Sequence, residues 1–298
     1  MECSKRKRRP LVVLHTVLIL DALICVIPLI FVIIISLSSQ ESIRTIGYSF
    51  IPASWSGDAY SYLASMGGQL LRAYWNSFVV TVLGTLFSLA LTVPYAYAIS
   101  RRDFAFRKLF VFVCVFPMLF SGGLAPTYVM VRSVLGLKDS YAAMIIPALM
   151  NTFNIIIMRG FFQTSIPGEL LEASAIDGCG EWRTFFKIVL PLSRPGIATV
   201  GLLTAIAYWN EWFIPMLYVR DQSHYPLPLL LMQIQNQADF LARNSDILGS
   251  EAVNAVANLP TDSLRMALVV LCVVPIMLVY PLLQRFIVGG LTAGSVKE

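Results

Sequence analysis

The 298-residue chain is 57% hydrophobic and only 13% charged, with a mean hydropathy of +0.73 and a net charge of +5. A water-soluble domain carries about 25% charged residues, so the polar side chains here are too few to cover soluble globules, and most of the chain belongs in lipid as one helical bundle. The five cysteines show no paired or metal-like spacing, which excludes a disulfide framework and a zinc site.

A bilayer core takes roughly 20 mostly apolar residues as helix, and six stretches qualify. The first, 11–37, follows the basic cluster Lys5–Arg9. That order imitates a secretory signal, but the run is much longer than a signal's apolar region and no small-residue cleavage pattern follows, so an uncleaved span is expected. The next is 77–100. The third, 109–131, is interrupted at Ser121-Gly122-Gly123 and at Pro126, and the fourth, 141–158, is short. Kinked or unwound backbone is expected in both, which membranes accommodate only where neighbouring helices or a cavity satisfy the freed groups. The last two are 196–218 and 264–283.

Most of the 22 Lys and Arg fall on the side that holds the N-terminus, including Lys5–Arg9, Arg101, Arg102, Arg107, Lys108, Arg159, Arg183, Lys187 and Arg194. The positive-inside rule then makes both termini cytoplasmic. It also accounts for the net charge as a topology signal, with no nucleic-acid partner. Two long loops result, 159–195 on the cytoplasmic side and 220–262 outside.

The cytoplasmic loop contains the most informative segment. In Ser165-Ile166-Pro167-Gly168-Glu169-Leu170-Leu171-Glu172-Ala173-Ser174-Ala175-Ile176-Asp177-Gly178, Ser165 or Ile166 caps a helix that Pro167 opens. Glu169 complements the positive first turn. Gly178 suits the left-handed position just past a helix end. A second short helix carries Trp182, Phe185, Phe186 and Val189 at helical spacing, and Pro191 and Pro195 end it before the fifth span. The expectation is a helix–Gly–helix elbow under the membrane. An amphipathic connector resting on lipid headgroups is the plainer alternative.

Glu172-Ala173-Ser174-Ala175-Ile176-Asp177-Gly178, followed by Ile188, Leu190 and Pro191, resembles the coupling loop, the EAA motif, of ABC-importer permeases, with Ser174 where the motif usually has its second alanine. The resemblance extends over most of the chain. The 289–297 tail, the long outer loop and Trp209-Asn210-Glu211-Trp212 look like the carbohydrate-uptake branch and its maltose-permease-G-like member. It implies an all-α membrane protein of the type I ABC importer permease fold, with six transmembrane helices and a cytoplasmic coupling-helix elbow. Residues 1–70 would form the N-terminal tail, first span and outer loop; 71–285 the permease core; and 286–298 a cytoplasmic tail. Glu172, Ala173, Ser174, Ala175, Asp177 and Gly178 would dock on an ATPase.

The same resemblance implies no cofactor on this chain, with ATP and Mg bound by two ATPase subunits. It also implies a second homologous permease as heterodimer partner and an extracellular or periplasmic sugar-binding protein, contacted through Tyr225, Gln233, Gln235 and Asn236. The sequence agrees on the division of labour. None of the six lysines sits in the Gly-x-x-x-x-Gly-Lys-Ser/Thr loop that cradles phosphates, and no nucleophile or metalloprotease motif appears, so the chain is not read as an enzyme.

A carboxylate at Glu211, deep in the fifth span, costs at least about 2.5 kcal/mol on insertion scales. Two readings stay open. Trp209, Asn210, Glu211 and Trp212 line a solute pathway, with polar groups for hydroxyls and indole faces for sugar C–H surfaces, or they hold a kinked helix together. Asn151 and Asn154 are likewise cavity liners or interhelical glue. The cargo reading is carbohydrate, leaning to oligosaccharide. The alternatives are an amino acid, polyamine or phosphate permease, and an ion-coupled secondary transporter, which would need inverted repeats that are not visible here.

Overall fold

The computed structural model describes residues 3–243 and 261–293. Part of the 220–262 loop and the end of the 286–298 tail lie outside the described residues. The first helices are α1 (Cys3–Ser36), α2 (Gln40–Ile46), α3 (Asp58–Ser65), α4 (Gly67–Ser100) and α5 (Arg107–Leu119). Then come α6 (Leu124–Val129, continued by a π-turn to Val134), α7 (Tyr141–Ile145, continued by a 3-10 turn to Ala148) and α8 (Thr152–Ser165). After α9 (Gly168–Ile176), the segments α10 (Glu181–Thr184), a π-turn over Phe185–Val189 and α11 (Leu190–Leu192) run on without a break. The remainder is α12 (Arg194–Trp209), α13 (Phe213–Tyr218), α14 (Leu227–Arg243) and α15 (Thr261–Ala293). One isolated antiparallel bridge, Ser38 with Trp55, is the sole β pairing among the described residues.

Three stretches are single helices long and apolar enough to cross a bilayer: Leu14–Ser36, Gly67–Ser100 and Thr261–Leu278. Three further pairs qualify only as bent spans. The break expected in the third apolar run is a sharp turn. α5 stops at Leu119, Gly123 takes φ +84, and Leu124–Val134 leaves at 114° to α5. The fourth run bends by 53° between Tyr141–Ala148 and Thr152–Ser165. There Asn151 accepts the Asn154 N–H at 3.2 Å and so starts α8 afresh.

Other boundaries differ from the sequence expectation for identifiable reasons. α8 continues past Arg159 to Ser165, because Phe162 and Ile166 are buried in the core. Pro167 stands at the N-cap of α9 and not inside its first turn. Pro191 does not end the second arm of the elbow, which includes it directly after the π-turn. The arm runs to Leu192 and meets α12 at 76°. The outer loop also holds a long helix. Leu227, Leu230, Leu231, Ile234 and Ala238 are buried at spacings of three and four along α14, while Gln235, Asn236 and Gln237 are exposed.

The chain divides into two compact units. Met1–Gly67 with Gln233–Val274 forms the first. In it the segment after α1 is fastened to the start of α15. The Gln40 amide donates to Asp262 Oδ2 at 3.0 Å and accepts the Asp262 N–H at 3.2 Å, and Tyr48 donates to Asp262 Oδ1 at 3.2 Å.

Gly68–Met232 with Pro275–Glu298 forms the second unit. Its main core joins Val93, Ala96, Tyr97 and Ile99 of α4 to Ile155, Met158 and Phe162 of α8, Phe185 and Val189 of the elbow, and Val200 of α12. Two glycines let large rings come close to backbone. A β-carbon on Gly84 would lie 2.7 Å from Tyr208 Cζ, and one on Gly196 would lie 2.7 Å from Phe161 Cδ1. Small residues at such crossings are what membrane helices use to approach one another.

Candidate functional site

The elbow is built from backbone outward. Past Asp177 at the C-cap, Gly178 takes φ +72. Its N–H goes to Ala175 O at 3.1 Å and the Cys179 N–H to Ser174 O at 2.9 Å, the paired bonds of a Schellman motif. The chain then reverses and Gly180 opens α10. Ser174 is 5% exposed; its hydroxyl donates to Leu171 O at 2.8 Å and lies 3.2 Å from Thr184 Oγ1. A serine at the motif's alanine position therefore ties the two arms together. Glu172, Ala173, Ala175, Asp177 and Gly178 all face outward.

Three apolar side chains of the two arms are bare: Ile176 is 86% exposed, and Trp182, 74% exposed, stacks on the exposed Phe186. A large apolar patch rimmed by polar residues marks an interaction surface. Ile176 was missed by sequence reasoning. Its signal was a β-branched apolar residue at a helix end with no helical partner of its own.

The segment 209–212 forms a break in the helix. α12 ends at Trp209, and α13 begins at Phe213. Glu211 Oε1 accepts the N–H of Phe213 at 2.9 Å and of Ile214 at 3.0 Å, so this carboxylate satisfies two orphan donors at the start of α13. Asn210 donates back to Ile206 O at 2.9 Å. Trp209 borders an apolar cavity of about 340 Å³ with Phe78, Thr81, Thr85, Ile206 and Pro275 among its walls. The hydroxyls of Thr81 and Thr85 are buried there without a hydrogen-bond partner. Asn154, 7% exposed, donates its amide to Thr204 Oγ1 at 3.1 Å, which binds α8 to α12. Asn151 is exposed and caps α8.

The capping geometry has a testable consequence. Glu211→Gln keeps an oxygen acceptor and is expected to leave thermal stability within about 0.5 kcal/mol of the parent, whereas Glu211→Ala loses the cap and costs about 1 kcal/mol. Thermal unfolding of the purified chain distinguishes them. Equal losses would remove the capping role.

At the end opposite the elbow, Asn76 of α4 donates to Ser223 O at 2.8 Å and Tyr225 O at 3.0 Å, and accepts from Tyr141 at 2.7 Å. Ser77 Oγ accepts the Leu227 N–H at 2.7 Å. Asp139, at φ +46, receives the N–H groups of Arg220 at 2.5 Å and Asp221 at 3.1 Å, which hold its carboxyl below the usual carboxylate range. Tyr225 is turned inward at 7% exposure, Gln233 is half-buried, and Gln235 and Asn236 are exposed. Among the described residues, no group of three or more His, Cys, Asp or Glu could hold a metal ion.

Residues 61–292 match the family model of the binding-protein-dependent transport system inner membrane component. The chain belongs to this family. The permease is thus a membrane transport subunit and not an enzyme. It is 41% identical over 280 residues to the polygalacturonan/rhamnogalacturonan transport system permease protein YtcP of Bacillus subtilis (strain 168), covering 94% of the permease and 95% of that relative. It is 38% identical to Protein LplC of the same organism, covering 92% and 90%. Among solved structures it resembles a bacterial ABC transporter involved in the import of the acidic polysaccharide alginate, with a TM-score of 0.75 and 30% identity over 94% of the permease and 97% of that chain.

Proposed function

We propose that the permease conducts oligosaccharide into the cell by alternating access, as one half of the membrane channel of an ABC importer. A second homologous permease completes the channel, two ATPase subunits bind ATP and Mg, and an external binding protein delivers the cargo. The bent pairs over 107–134 and 141–165 each count as one span and α12 with α13 as another, giving six with both termini cytoplasmic; residues 71–285 act as the core between the 1–70 and 286–298 segments. The observation that carries this reading is the elbow, a reversal closed by two backbone bonds and one hydroxyl pair, with Glu172–Gly178 turned outward and Ile176, Trp182 and Phe186 bare on its arms. Such a shape fits a groove on a separate protein, and an ATP-driven closure of that groove would move it as a body.

Trp209, Asn210, Glu211 and Trp212 fit a pathway lining at the break in the fifth span, next to the buried hydroxyls of Thr81 and Thr85. Asn151, the cap of α8, and Asn154, which spends its amide on Thr204, serve as supports for the pathway helices. On the outer side, exposed Gln235 and Asn236 of α14 offer amides to the binding protein, together with half-buried Gln233 and with Tyr225 just before the helix. Uronide oligomers come first as cargo, because relatives across nearly the full length concern polygalacturonan and alginate.

The test is disulfide or maleimide crosslinking from Ala173→Cys to co-purified ATPase, together with uptake of labelled oligogalacturonide and maltooligosaccharide by cells. Capture of the ATPase and uptake of a saccharide support the reading. Capture with neither saccharide transported would favour an amino acid, polyamine or phosphate cargo, and no capture would end the importer reading.

A further inference from the structure

Force applied to the elbow has to reach the spans; the second arm packs on α4 through Phe185 and Val189, but the packing is open at the arm's first turn. A cavity of about 370 Å³ opens there, with Pro94, Phe104, Trp182 and Phe185 on its walls. Across such a gap, van der Waals contacts give slack, because attraction falls off steeply once atoms part. One directional contact crosses it. The Arg101 guanidinium, at the residue after α4, donates from Nη2 to Glu181 Oε1 at 3.2 Å, and Glu181 is the first residue of the second arm.

The surroundings aim that guanidinium. Asp103 takes its Nε at 2.8 Å and its Nη2 in a two-point grip. The Tyr97 hydroxyl lies 3.4 Å from Nη1, and the Tyr97 ring lies 6.0 Å below the guanidinium carbon. Tyr97 is itself locked between Phe162 and Phe185 at ring separations of 5.7 and 5.2 Å. The Arg101 side chain is 18% exposed, while Glu181 is 70% exposed. A planar fork held on two sides and stacked on a ring has few ways to turn aside. Asp103 is the main cause that strengthens the proton's hold on Arg101, and Arg101 in turn holds the Asp103 carboxyl below its ordinary range.

We propose that Arg101 is a positioning residue that transmits movement of the elbow to α4, through Glu181 at the root of the second arm. The route runs from Glu172–Gly178 through the Ser174–Thr184 hydroxyl pair into α10, and from Glu181 to Arg101 at the foot of α4. Asp103 keeps the fork aimed while Glu181 moves. This rests on the elbow's docking to an ATPase, but assigns a role to a residue outside the elbow.

The experiment uses the whole complex with its ATPase. Spin labels at exposed Phe87 of α4 and on the second permease subunit report the ATP-driven change in their separation. The variants are Arg101→Gln, Glu181→Gln and the two combined. Each single variant is expected to reduce the fraction of complexes that shift on ATP addition at least about fivefold, with the ATPase still bound, and the double variant is expected to be no worse than either single one. A merely structural contact would lower thermal stability without changing this fraction, and because Glu181 is mostly exposed, Glu181→Gln keeps the fold. A full ATP response in Glu181→Gln, or losses that multiply in the double variant, would overturn the proposal. No ATP response in the parent complex would instead remove the docking of the elbow on which it rests.

Discussion

Gly178→Val is expected to cut uptake roughly tenfold or more while leaving insertion and helix content unchanged. Gly178 stands at φ +72, and nothing lies within 4 Å of where its β-carbon would be, so the effect is purely conformational. An L-residue in the left-handed region costs about 1–2 kcal/mol, and a β-branched one more. One decade in an equilibrium corresponds to about 1.4 kcal/mol. Relief comes by opening the two Schellman bonds, which frees the end of α9 and swings Glu172–Asp177 away from Trp182. Gly178→Asn is the control, because asparagine tolerates this conformation and should keep most of the activity. Transport by cells expressing each variant at matched membrane levels decides the matter; a harmless valine would mean that the turn is not the working shape.

Gly84→Val should be strongly destabilising. The first added carbon alone meets Tyr208 at 2.7 to 2.9 Å, and the obstacle is a ring held by its hydroxyl to Ile145 O at 3.0 Å. Overpacking of this kind costs typically about 1–3 kcal/mol, and the upper end is expected because the ring is pinned at both ends. Loss of thermal stability in detergent, smaller when the same change is made in a Tyr208→Ala chain than in the parent, is the expected result. If Gly84→Val cost as much in the Tyr208→Ala chain as in the parent, the clash would lie elsewhere.

The apolar runs and the helix–Gly–helix segment were legible in the sequence because they rest on local signals: length of the run, a glycine after a helical stretch, prolines near boundaries. What escaped depends on contacts between residues far apart in the chain. Ser174 reads as a small residue until Thr184 is placed against it. Asn76 looks like an unremarkable polar residue in an apolar helix, and only the fold brings Ser223, Tyr225 and Tyr141 to it. Glu211 was open between a lining and a structural part; its bonds to Phe213 and Ile214 supply the structural part through a break that hydropathy alone does not locate. The outer segment read as a loop because its prolines, Pro226 and Pro228, and its amides dominate the composition. Its buried leucines needed a surface to pack on before helical spacing became meaningful.

The knot around Asn76 and Asp139 also constrains how the channel can open. It fastens the top of α4, the start of α7, the end of α13 and the entry to α14 by side-chain-to-backbone bonds whose partners lie 61 to 150 residues apart in the chain, counting Ser88 with Leu149 as well. Those segments must travel as a single slab. Any widening at that end is then expected at interruptions of the backbone such as Phe120–Gly123 and Asn210–Trp212, which would make these breaks in the apolar runs hinges.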